Sequence, residues 1–115
     1  MTSDQYTQWR DNFLHETLHL SDEKRVEYCN GNQHIDVHTN FKLIAEKLGL
    51  KPMQVLSVYL NKHLESLHSY FKTGTTYSNE SIESRVCDII NYLLLAMSMK
   101  AEADSKKESD LPEDR

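Results

Sequence analysis

A chain of 115 residues with 38% apolar content and a formal charge of −5 has room for one small domain and no basic surplus of the kind nucleic acid requires. Its longest unbroken apolar run, Tyr92 to Met97, is far too short to span a membrane, and Cys29 and Cys87 have the spacing of neither a zinc site nor a disulfide framework. These exclusions predict a cytoplasmic protein that contacts neither nucleic acid nor membrane directly.

In chain order, Tyr6, Trp9, Phe13, Leu14 and Leu18 recur at three- and four-residue steps and predict a helix from Ser3 to about Leu20, capped by Ser3 or Asp4 and anchored by Trp9 and Phe13. Ser21 followed by Asp22 and Glu23 predicts a second helix, or a kinked continuation, as far as about Cys29. Asn30, Gly31 and Asn32 form the strongest break in the chain. The following connector places His34, Asp36 and His38 on alternate positions, which in extended backbone share one face and form a set of transition-metal ligand types; solvated loop histidines are the other reading. Thr39 or Asn40 then opens a short helix to Leu48 that buries Phe41, Leu43, Ile44 and Leu48 and stops at Gly49.

Pro52 suits the first turn of a long helix whose apolar set, Val55, Leu56, Val58, Tyr59, Leu60, Leu64, Leu67 and Phe71, runs to about residue 73 before Gly74. A short connector leads to a second long helix over about 79–100, with Ser78 or Asn79 as cap and Glu80 and Glu83 near its positive end. The pair should form an antiparallel hairpin, with Lys62 and His63 opposite Asp88 and Asn91 at heights that differ by about 4 to 5 Å. From Val86 to Met97 the second helix is apolar nearly all round, so it should cross the core or an oligomer interface. Residues 101–115 carry six acids against three bases, which leaves −2 of the −5 for the rest, and are expected to be a disordered acidic tail outside a single domain of residues 1–100. The predicted class is therefore all-α, four to five helices, homo-oligomeric through the long pair.

Asp88 and Asn91 interrupt that apolar helix on the same side as Ser84 and Glu80, at spacings of four, four and three. An ionised Asp in apolar surroundings costs several kcal/mol unless something meets it. A structural network, a cation or nucleotide site, and a solvent-facing stripe all remain open.

The pattern Asn40-Phe41, Lys62-His63-Leu64, Glu80-Ser81-Ile82-Glu83-Ser84-Arg85, Asp88 and Asn91-Tyr92 resembles the nucleotide modification associated domain 1 family of phages and prophages. More distantly it resembles the MazG-like all-α nucleoside triphosphate pyrophosphohydrolases, with coverage of about Tyr28 to Met99. The resemblance implies a helical fold, a phage origin, and a nucleotide or nucleotide-derived ligand. It implies Mg²⁺ held through acidic pairs, here Glu80 and Glu83 with Asp88; Lys62, His63 and Glu65 stand where a second pair would fall. The expected ligand-binding set is Lys62, His63, Glu80, Glu83, Arg85, Asp88 and Asn91. In it Glu83 and Asp88 hold the cation, Asn91 orients the ligand, and Lys62, His63 and Arg85 meet phosphate. The ligand would be sequestered or hydrolysed with Mg²⁺. The alternative is a non-enzymatic phage protein that binds and inhibits a host protein in the host cytoplasm.

Overall fold

The computed structural model describes residues 1–29, 31 and 34–109, with the side chain of Tyr28 left aside. Among the described residues the chain is all-α, with α1 (Ser3–Tyr28), α2 (Thr39–Leu48), α3 (Pro52–Thr73) and α4 (Ile82–Ser109) and no strand. It divides into two compact units, Met1–Thr39 and Asn40–Arg115.

In the first unit, α1 is capped by Thr2, not by Ser3 or Asp4. The Thr2 hydroxyl accepts the Gln5 N–H at 3.2 Å and the Gln5 side chain accepts the Thr2 N–H at 2.8 Å, so two orphan donors are satisfied reciprocally. The helix passes Ser21 without a second start. His19 and Glu23 pair across one turn at 3.0 Å, Asp22 and Arg25 do the same at 3.0 Å, and no Gly or Pro offers a break. Trp9 is exposed and does not anchor the helix in a core; its ring stacks along the helix on Tyr6 and Phe13. At the C-terminal end Gly31 takes φ +73°, and its N–H returns to the Val26 carbonyl at 2.8 Å; Asn30 and Asn32 lie outside the described residues.

In the second unit, Gly49 (φ +68°) and Gly74 (φ +69°) end α2 and α3 in the left-handed region that glycine enters without strain. The Leu50 N–H closes α2 on the Ala45 carbonyl at 2.9 Å, and the Gly74 N–H closes α3 on Tyr70 at 2.7 Å. Helices α3 and α4 pack against each other, and one buried cluster joins Phe41 and Ala45 of α2, Val55 and Leu56 of α3, and Ala96 of α4. Phe41 meets Tyr59 and Tyr92 edge to face, with ring centres 6.1 and 6.5 Å away.

Three expectations change here. The cap of α4 is Ser81, whose hydroxyl accepts the Ser84 N–H at 3.1 Å; Ser78 bonds the Glu80 N–H in the turn before it, so Glu80 precedes the helix. The helix then continues through Ser109, nine residues past Lys100, because residues 101–109 hold no Gly or Pro. Lys42 of α2 ties Glu102 at 3.0 Å, and the Lys100 ammonium, bonded to Asp104, holds that carboxyl below its ordinary range. Residues 110–115 of the expected tail lie outside the described residues. Burial is also narrower than periodicity predicts: Leu43, Leu48, Val58 and Phe71 are exposed, as are Leu93, Leu94 and Met97 in the stretch expected to cross the core or an oligomer interface.

Two α3 side chains test where the core ends. Leu56 is 2% exposed and Phe71 71% exposed. In urea unfolding followed by circular dichroism, Leu56→Ala should cost about 2–5 kcal/mol and Phe71→Ala no more than about 0.5 kcal/mol.

Candidate functional site

Among the described residues of the second unit, Arg85, one turn into α4, is the charged residue that is buried, at 9% exposure. A guanidinium cannot shed its charge at ordinary pH, so its desolvation has to be met by acceptors. Glu80 provides one, with Oε2 3.3 Å from Arg85 Nε, and the other oxygen of that carboxylate accepts the Ser84 hydroxyl at 3.2 Å. His63 of α3 provides a second contact, its Nδ1 3.4 Å from an Arg85 terminal nitrogen. Because the guanidinium only donates, that contact is a hydrogen bond when Nδ1 keeps its lone pair and the proton sits on Nε2. The His63 ring also lies against Tyr92, 5.4 Å between centres, which links this polar group to the aromatic side of the core.

Beside Arg85 a cavity of about 200 Å³ opens between the C-terminal half of α3 and the connector to α4. Its wall is Ser66, Ser69, Thr75, Thr76, Tyr77, Ser78, Glu80, Ile82 and Arg85. Hydroxyl-bearing residues make up most of it, with one guanidinium and one carboxylate among them, and the Ser78 hydroxyl is already engaged by the Glu80 backbone. The start of α4 at Ile82 lies on the same wall, where Ser81 meets the N–H groups of Ser84 and Arg85 and those of Ile82 and Glu83 have no intrahelical acceptor.

Of the seven expected ligand residues, the structure gathers His63, Glu80 and Arg85 into one bonded group. Lys62 and Glu83 are exposed. Asp88 and Asn91 are half-buried and neither is without a partner. His63 faces Arg85 and Tyr92, where Asp88 and Asn91 were expected opposite it. Glu83 and Asp88 are five residues apart, about 140° around the helix, so they point to different sides and do not converge on one cation. Among the described residues no set of three ligand side chains includes Glu80, Glu83 or Asp88.

The His34, Asp36 and His38 segment is a turn, not extended backbone. The Asp36 carboxylate accepts the His38 backbone N–H at 2.9 Å and lies 3.7 Å from its Nδ1, while His34 does not complete a three-ligand set with them. The hydroxyl wall escaped the sequence reading. Its one visible signal was the run Thr73-Gly-Thr-Thr-Tyr-Ser78, which reads as an ordinary connector until Ser66 and Ser69 are placed beside it.

No protein-family model, curated protein or solved structure matches the chain. No helix among the described residues is long and apolar enough to cross a membrane.

The Arg85–Glu80 pair is asymmetric, since Glu80 can turn to water and Arg85 cannot. Glu80→Ala should therefore destabilise by about 1–3 kcal/mol, more than Arg85→Met, in urea titrations. A larger loss from Arg85→Met, which keeps an apolar stem and removes only the guanidinium, would mean that the charge and its hydrogen bonds add net stability to the fold.

Proposed function

We propose that the chain is a binding protein for a small phosphate-bearing molecule of the nucleotide class, held without turnover in the hydroxyl-lined cavity beside Arg85. One observation carries the reading: a buried guanidinium on the wall of a cavity whose other lining residues mostly bear hydroxyls. Phosphate oxygens accept from guanidinium, hydroxyl and helix N-terminal N–H groups, and all three kinds meet here. The cavity suits a phosphate and its sugar better than a whole nucleotide, leaving the base over the rim. His63, against Arg85, would orient the guanidinium. Sequestration fits better than hydrolysis, because Glu83 and Asp88 diverge around α4 and Glu80 is engaged by Arg85 and Ser84. The phage setting and any Mg²⁺ at Glu83 and Asp88 rest on the family resemblance alone.

A second reading, a non-enzymatic protein that binds a host protein, is favoured by the large apolar side chains that α3 leaves in water, Val58, Tyr59 and Phe71. There the Arg85 group would only fix how α3 meets α4.

Thermal shift and calorimetric titration with inorganic phosphate, pyrophosphate and a panel of nucleotides separate the two. The first reading expects stabilisation by at least one phosphate-bearing ligand, affinity for it about tenfold or more weaker in Arg85→Met, and no pyrophosphate released from triphosphates with Mg²⁺. No shift with any of these ligands would remove it; pyrophosphate release would replace sequestration with hydrolysis.

A further inference from the structure

Helix α4 carries two apolar stripes. The inward one, Ile89, Tyr92, Ala96 and Met99, is buried or packs on the core with α2 and α3. The other, Val86, Ile90, Leu93 and Met97, is spaced four, three and four, lies within about 60° of arc, and is centred roughly 110° from the first. Leu93 is 50% and Met97 59% exposed. A 4-3-4 apolar seam is what one helix presents to another in coiled-coil packing.

We propose that this seam is covered by the same seam of a second copy of the chain, the two α4 helices running antiparallel about a two-fold axis between Asn91 and Tyr92. The charges at the ends of the stripe choose this occupant and direction. One step of three beyond Val86 stands Glu83, and one step of three beyond Met97 stands Lys100, both exposed and close to the line of the stripe. In the antiparallel register Val86 meets Met97 of the partner subunit, Ile90 meets Leu93 of the partner subunit, and Glu83 meets Lys100 of the partner subunit. The two-fold axis makes each of these contacts twice, as a self-complementary interface requires. A parallel pair would set Glu83 against Glu83 and Lys100 against Lys100, like charges at both ends of the seam. Lys100 also bonds Asp104, but an ammonium has three donors, so the two contacts are compatible. The inference is independent of the cavity beside Arg85.

Size-exclusion chromatography with light scattering, over a dilution series of the full chain, reads the mass. The wild type should approach twice the 13.4 kDa of one chain at high concentration, and Leu93→Glu should stay at 13.4 kDa with its helical circular dichroism kept, since Leu93 lies outside the core cluster. Glu83→Lys or Lys100→Glu alone should weaken dimerisation roughly tenfold, and the two together should restore it. A wild-type mass of 13.4 kDa at every dilution overturns the proposal, as does a dimer that Leu93→Glu leaves intact. A double variant no tighter than the single ones overturns the antiparallel register.

Discussion

A helix that is apolar nearly all round has to cover more than one face, and in the second unit the packed elements cover only one of them. Phe41, Ala45, Val55 and Leu56 close around Ala96, with Tyr92 and Met99 packed beside them, and that cluster sets the spacing of α2, α3 and α4. The rest of the unit follows from this pairing. Where the buried cluster gives out toward the connector, the helix contact is carried by Arg85, His63 and Glu80, and there the cavity opens. Where α4 turns its other side outward, Leu93 and Met97 meet water. Polar chemistry and apolar surface thus lie on different sides of one helix.

That separation gives the unit a division of labour. Buried ion pairs seldom add much net stability, because desolvation offsets most of the attraction, but they fix register and leave oriented donors in place. Arg85 is oriented in this way. Its carboxylate partner stands in the connector before α4, so the group at the cavity wall belongs partly to a rigid helix and partly to a turn. A ligand whose oxygens replaced the Glu80 carboxylate would find the donors already aimed, which is how preorganised sites gain affinity. Across the helix, the outward stripe has no polar group to satisfy and asks only for another apolar surface.

How much of this is legible in sequence depends on whether a residue type has one physical use or several. Pro52, Gly49 and Gly74 each have a narrow use, and α2 and α3 begin and end where those signals stand. Ser78 and Asn79 have capping side chains and are expected to start α4, but a Ser three residues beyond the first of them can do the same, and the structure uses Ser81. The charged stretch after Lys100 has the composition of a solvated tail, yet Ala, Glu and Lys are also good helix formers, and the helix persists through Ser109. Periodicity identifies an apolar face without saying what covers it, which is why Leu43 and Leu48 are expected inside and lie outside. At the site, the residues that stand out on the apolar helix are Asp88 and Asn91, whereas Arg85, which the structure buries against Glu80 and His63, is a candidate only through the family resemblance. The hydroxyl wall is not legible, since Ser and Thr in a connector are ordinary until the fold sets them around a cavity.

The central claim is that α4 uses one stripe for its own core and reserves the other for its own kind. Isotope-filtered NOE spectroscopy on a sample mixed from labelled and unlabelled chains tests this most directly, because it sees only contacts between molecules. Cross-peaks between the methyl groups of Ile90 on one chain and Leu93 on the other are the predicted result. Intermolecular peaks that pair Ile90 with Ile90 and Leu93 with Leu93, or none along α4, would contradict it.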